Sequence, residues 1–243
     1  MDLTLRSYEP ELLDGQDIPF EEIRSNMREL ETINSLLGGH RITLKAFRRL
    51  AGRSRVLHVC EIGCGGGDNL KMIHRWCRNK GIELTVTGID INADCIAYAR
   101  ENCAEITGAR WIVSDYRTAE LPEKPDIIFN SLFCHHFSDD GVKDILVWMR
   151  RHARIGYFIN DLHRHTLAYH SIRWLTALFS RSRLVRHDAP LSVRRGFRKE
   201  ELKRMMDKSL DGHAMKPYAL KWQWAFRWML VSPASEKITH DRN

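Results

Sequence analysis

The chain has 243 residues, 43% of them hydrophobic, with six cysteines and a formal net charge of +7. That is enough for one sizeable core with a small appended cap, and neither an internal repeat nor a low-complexity tract interrupts it. No apolar run is long enough to span a bilayer, the N-terminus Met1-Asp2-Leu3-Thr4 lacks the basic and apolar regions of a signal peptide, and the absence of a Cys-x-x-Cys pair argues against a zinc site or disulfide frame, so a reducing cytoplasm is the expected home. In chain order, Pro19 to Leu37 reads as a helix, with Phe20, Ile23, Met27 and Leu30 at helical spacing and Gly38-Gly39 as its stop. Thr43 to Leu50 is a second, shorter helix. Arg55 to Ile62 is the first strand, and Asp68 to Lys80 the helix after it. Leu84 to Asp90 is the second strand, followed by a helix from Asn92 to Cys103 capped by Asn92. Ala109 to Val113 and Pro125 to Leu132 are the third and fourth strands. Asp139 or Asp140 caps a helix through Arg151, and Gly156 to Asn160 is the fifth strand.

Beyond the fifth strand the alternation breaks. His163 to Leu184 reads as one helix with Ala168, Ile172, Leu175, Leu178 and Phe179 as an apolar stripe. A loop follows over Asp188 to Phe197, then a helix from Lys199 to Asp207, then an aromatic-rich hairpin from Ala214 to Val231. Between Leu162 and Arg198 stand arginines 164, 173, 181, 183, 186, 194, 195 and 198 against a single acid, Asp188. Such a patch attracts anions in general, from RNA to phospholipid head groups, unless it is only a solvated helix face.

Strands that alternate with helices imply a parallel sheet with right-handed crossovers, and such sheets bind ligands outside the carboxyl ends of their strands. Glu61, Asp90, Asp115, Asn130 and Asp161 all fall at or near those ends. The first strand runs into Glu61-Ile62-Gly63-Cys64-Gly65-Gly66-Gly67-Asp68, a glycine loop that brings bare backbone close to a ligand at a helix N-terminus. A dinucleotide fingerprint needs a third glycine where Asp68 stands, and a carboxylate beside a pyrophosphate is electrostatically wrong.

Glu61-x-Gly63-x-Gly65-x-Gly67 resembles motif I of the class I S-adenosylmethionine-dependent methyltransferases, and Asp90 resembles their ribose-binding acid. The resemblance covers roughly residues 54 to 231. It implies an α/β, Rossmann-like three-layer sandwich: a seven-stranded, mostly parallel sheet with an antiparallel last strand. It also implies an N-terminal helical cap (1–53), a methyltransferase domain (54–243) and a substrate-side helical insertion after strand five (162–198). The implied cofactor is S-adenosyl-L-methionine. Its site is assigned to Glu61, Gly63, Gly65, Gly67, Asp90 and Ile91, with Asp115 accepting from the adenine amino group, Tyr116 packing on the ring and Asn130 ending the fourth strand.

The Asn/Asp-Pro-Pro-Tyr/Phe motif of amino-directed nucleic-acid enzymes is absent after strand four, and no Pro-Cys pair supports cytosine C-methylation. Leu132-Phe133-Cys134-His135-His136 resembles the quinone-methylating and small-molecule members instead. His135 and His136 are candidate bases, although neighbours in an extended strand cannot both face one pocket. Asp161 is a substrate acceptor or a partner to one of them. No metal site is expected, because Asn130 and Ser131 stand where catechol-type relatives need an acid. The expected activity is O-methylation of a phenolic or quinol-like acceptor, lipid-linked ones included, with C-methylation sharing the same geometry. The insertion would supply an apolar pocket with an anionic or membrane-proximal rim. The runner-up is an RNA methyltransferase docking through the arginine patch, and the third reading is a non-catalytic S-adenosylmethionine-binding module. Oligomeric state is not legible.

Overall fold

The computed structural model describes residues 3–15, 18–210 and 218–234. Two helices, α1 (Phe20–Leu36) and α2 (Gly39–Ala51), precede strand β1 (Val56–Ile62). The chain then alternates through α3 (Asp68–Asn79), β2 (Glu83–Asp90), α4 (Ala93–Asn102), β3 (Arg110–Val113), β4 (Ile127–Ser131), α5 (Asp139–His152) and β5 (Gly156–Leu162). Helices α6 (Thr166–Phe179), α7 (Arg183–Arg195) and α8 (Lys199–Ser209) lead to the hairpin β6 (Ala219–Gln223) and β7 (Arg227–Pro233). The seven strands form one sheet in the order β3-β2-β1-β4-β5-β7-β6. β1 to β5 pair in parallel, and β7 lies antiparallel to both β5 and β6. The hairpin's expected start at Ala214 lies outside the described residues.

The two-residue period of the strands builds both faces of the core. Leu57 and Val59 of β1, Phe129 of β4 and Phe158 of β5 face Phe47 of α2 and Leu70 and Ile73 of α3. Cys60 and Ile62, Ile128, Tyr157 and Ile159 face Val142, Ile145 and Met149 of α5 and Met205 and Met206 of α8. Phe129 and Phe158 stack at 4.7 Å between ring centroids. Because α2 buries Ile42, Ala46 and Phe47 in this core, it forms part of the sandwich layer, whereas α1 packs on α2, α4 and α7. All six cysteines are buried with free thiols.

Four expectations change. Ser138, not Asp139 or Asp140, caps α5, its Oγ accepting from the Gly141 N–H; both aspartates sit in the first turn, where the helix dipole favours them. The long helix from His163 splits at Ser180–Ser182, where Glu29 of α1 accepts from the Arg181 and Ser182 N–H groups and the Ser180 hydroxyl. The expected loop over 188–197 is largely helix, since α7 runs through Pro190 to Arg195. Proline disfavours a helix interior, but Val185, Leu191 and Val193 are buried and the Asp188 carboxylate accepts from Leu12 and Leu13 N–H, so tertiary contacts outweigh the local signal. β5 extends to Leu162 because its last residues pair with Arg227 and Trp228.

Candidate active site

The end of β1 turns through Gly63 (φ 65°), Gly65 (φ 49°) and Gly67 (φ 73°) into α3, a left-handed path open to glycine without strain. At Gly63 a Cβ would stand 2.1 Å from the Phe133 ring, whereas at Gly65 only the Met27 sulfur lies near, at 3.5 Å, so that backbone faces open space. Asp90 closes the other side. One of its oxygens accepts from Gly65 N–H and the other from Asn92 N–H, both at 2.9 Å. Burial raises the Asp90 carboxyl above its usual range against the pull of these N–H groups. Each carboxylate oxygen keeps a second acceptor position.

Glu61 is buried beneath the loop. Its Oε1 accepts from Asn69 Nδ2 at 3.0 Å, and its Oε2 has no partner. Burial first, then the Asp68 charge, lifts this carboxyl well above the carboxylate range. A buried carboxyl with an orphan oxygen is the acceptor a cationic ligand group satisfies. Gly63, Gly65, Asp90, Ile91 and Glu61 all line a single cavity of about 900 Å³, toward the upper end for small-molecule sites and large enough for a cofactor with an acceptor beside it. These residues fit a cationic, ribose-bearing cofactor.

The opposite wall holds the paired histidines. β4 ends at Ser131, and a short helical turn (Cys134–His136) carries both rings into the cavity lining, so the turn removes the conflict that an extended strand would impose. His135 is buried. Its Nδ1 lies 2.8 Å from Asp161 Oδ1, and its backbone N–H donates to Asp161 Oδ2. Its Nε2 lies 3.5 Å from Glu11 Oε1. Burial alone would depress the imidazole, but the Asp161 and Glu11 carboxylates outweigh it and raise its pKa to about 9. Burial likewise works to raise Asp161, and the His135 charge overcomes it and holds that carboxyl low. His136 is less buried, with Nδ1 3.4 Å from Asp14 Oδ1 and Nε2 3.9 Å from Glu11 Oε2. Against its own desolvation, Asp14 is pulled down to about 2 by His136 and Arg195. An Asp–His–Glu chain of this kind can take up and return a proton.

Glu11 and Asp14 belong to an N-terminal strap that the sequence reading did not single out. Arg6 and Arg195 hold it. Both guanidiniums donate to the His135 carbonyl, Arg6 also to Phe137 O, and Arg195 to His136 O and Glu9 O. Among the described residues, Glu11, His135 and His136 also place one ligand atom each within 4.8 Å of the others, close enough to share a metal ion. Arg227 was also missed. It is buried at the cavity wall, donates to Asn34 Oδ1 at 2.7 Å and leaves Nη1 without a partner.

Four expected cofactor residues stand outside the cavity lining, the first being Gly67, where a Cβ would meet Cys103 and Trp111 at 2.8 Å. Asp115 forms a bidentate pair with Arg117 and does not line the cavity. Tyr116 is buried edge-on against Phe133, Phe137 and Trp148. Asn130 points to the α5 face, where it accepts from the Cys134 thiol and donates to the Met149 sulfur, because strand alternation turns it away from the loop side. The arginine patch is also partly spent inside the fold. Arg164 is buried against Glu201 at 2.6 Å, Arg195 holds the histidine turn, and Arg194 pairs with Glu9.

Residues 59–156 match the family model of a methyltransferase domain. A comparison with curated proteins finds no match. Among solved structures, the plantazolicin methyltransferase BpumL in complex with SAH superposes with a TM-score of 0.65 at 16% identity, covering 89% of this chain and 90% of that one. Magnesium protoporphyrin IX methyltransferase (ChlM) from Synechocystis PCC 6803, with bound SAH, gives a TM-score of 0.52 at 14% identity, covering 91% and 90%. At these identities the likeness establishes the fold, and the domain match places the glycine loop, Asp90 and the histidine turn within a methyltransferase domain. The chain therefore carries a methyltransferase domain over residues 59–156, on a fold shared with methyltransferases crystallised with SAH.

Proposed function

We propose that this enzyme methylates a hydroxyl of a phenolic or quinol-like small molecule, with the Asp161–His135–Glu11 chain receiving the acceptor's proton. The observation that carries this reading is that one cavity is lined both by the glycine loop and by His135, whose far nitrogen is clamped by Asp161. S-adenosylmethionine, held by Glu61, Gly65 and Asp90, supplies an electrophilic methyl group. The protein's part is to align the acceptor oxygen and relieve it of a proton. A base whose conjugate acid has a pKa of about 9 is well matched to a phenol near 10. The acceptor hydroxyl gives its proton to Nε2 of neutral His135, a form that gains population as pH rises toward 9, and Asp161 and Glu11 compensate the resulting imidazolium. Apolar lining from Leu132, Phe133, Ile172, Leu175 and Phe226 suits an aromatic or aliphatic acceptor. Six buried thiols fit a reducing, cytoplasmic setting.

An RNA acceptor has less support, because Arg164, Arg194 and Arg195 are engaged within the fold. A non-catalytic cofactor-binding role leaves the Asp161–His135–Glu11 chain without a purpose. The test is methyl transfer to a panel of phenols, quinols and tRNA, with chelator present and products read by mass spectrometry and NMR. Turnover on a phenol or quinol is expected, with His135→Gln lowering kcat on the order of 100-fold or more while cofactor affinity holds. Methoxy signals distinguish O-methylation from ring C-methylation. Full turnover in both His135→Gln and His136→Gln across pH overturns the proton relay. Transfer to tRNA alone, weakening steeply with salt, overturns the small-molecule reading.

A further inference from the structure

Helix α6 carries a face that the fold leaves bare. Leu167, Trp174 and Leu178 recur at helical spacing with Leu175 and Phe179 beside them, and their exposures are 63%, 67%, 69%, 41% and 78%. On the other side of the same helix Ala168, Tyr169 and Thr176 are buried, Ala168 and Tyr169 in a cluster with Val193 of α7 and Phe226. A contiguous ridge of five large apolar side chains on one helix is unusual for a surface in water. The ridge is also held firmly, because Glu29 of α1 grips the Ser180–Ser182 corner at its end.

The charge that the chain from α6 into α7 itself carries beside the ridge is of one sign. Arg173, Arg181, Arg183 and Arg186 are exposed, and among the described residues only the Arg183 side chain pairs with an acid, Glu22. From Thr166 to His187 the sequence contains no acidic residue. Ala168, Ser171, Ile172 and Leu175 of the same helix line the cavity, as does Trp224, which is 67% exposed. The bare face is thus continuous with the cavity mouth.

We propose that α6 is a membrane-docking helix that seats the cavity mouth in the head-group region of an anionic bilayer. Its 14 residues span about 21 Å and would lie in the plane of the interface, the ridge turned toward the acyl chains and the arginines at phosphate level. No described helix is long and apolar enough to cross the membrane. A second copy seated on the same face would bring Arg173, Arg181 and Arg186 against their own counterparts, which like-charge repulsion opposes. An acceptor with an aliphatic tail could then pass from the bilayer to the cavity along Leu175 and Trp224. That last step, a lipid-linked acceptor, rests on the small-molecule reading above, whereas docking does not.

The test is flotation of the whole protein with phosphatidylcholine vesicles, with or without phosphatidylglycerol, over a salt series. Binding to anionic vesicles only, weakening with salt, is expected. Removing Arg173 and Arg181 together should weaken it about fivefold per arginine. Leu178→Glu with Phe179→Glu should abolish it, with circular dichroism and S-adenosylhomocysteine affinity unchanged. Absence of binding by the native protein, or binding that survives both sets of changes, overturns the proposal. So does a concentration-dependent dimer in sedimentation equilibrium that the Leu178→Glu, Phe179→Glu variant dissociates. Vesicle binding without transfer to any phenol supports docking and overturns the acceptor reading alone.

Discussion

The interaction between His135 and Asp161 makes stability depend on pH in a stated window. The His135 pKa rises from 6.5 in the unfolded chain to about 9 in the folded one. A raised pKa contributes stability fully below 6.5 and loses it as pH climbs through 9. The difference, 9 minus 6.5 at 1.36 kcal/mol per pH unit, comes to about 3 kcal/mol. The groups facing the ring are Asp161 on β5, Glu11 on the strap and neighbouring His136, so Asp161 supplies the largest of two opposed charges. Asp161→Asn keeps size and a hydrogen-bond acceptor but removes the charge, and burial then pulls His135 back toward or below its unfolded value. Equilibrium urea unfolding of both proteins at steps from pH 6 to pH 10 is the assay. The native protein should lead the variant most at pH 6, and the gap should narrow by about 2–3 kcal/mol by pH 10. Subtracting one protein from the other cancels groups common to both. A gap that is flat with pH, or that widens, would refute the reasoning. Direct NMR titration of His135 in the native protein keeps the test sound if the variant fails to fold.

Two further outcomes are expected. Because the Glu61 carboxyl is held well above its usual range, binding of S-adenosylhomocysteine, with its ammonium group, should release a proton; calorimetry in buffers of different ionisation heat measures this. In Glu61→Gln the proton count should fall to zero and affinity by about 1–3 kcal/mol, and an unchanged count would remove Glu61 from the ammonium site. Gly63→Ala combines a φ of 65° with a Cβ placed 2.1 Å from Phe133, so thermal unfolding should show a loss of about 2–5 kcal/mol. An unshifted Tm would mean that the loop follows another path.

How far the residues themselves announced the site depends on how local the cause is. Glycines that need positive φ, a carboxylate ending the second strand and an asparagine capping α4 are written in a few consecutive residues, and Gly63, Asp90 and Asn92 stand where their order implied. Asp115 and Tyr116 were assigned by family resemblance, and here Arg117, two residues from Asp115, competes for its carboxylate. Pro190 reads as a helix breaker, yet α7 continues through it because burial on both sides and the strap's bonds to Asp188 outweigh one missing N–H.

Strand period, glycine spacing and charge placement were sufficient to define the alternating sheet, the glycine loop and the histidine pair, because each acts over a few bonds of chain. Only the folded chain could bring Glu11 to His135, Arg227 to Asn34, or turn the apolar edge of α6 outward beside the cavity. Those contacts join residues more than a hundred positions apart, and they arise from packing of the strap and α7 against the sheet ends. The proposed proton path and docking face therefore depend on tertiary structure, while the left-handed turn after β1 was already legible in the order of the glycines.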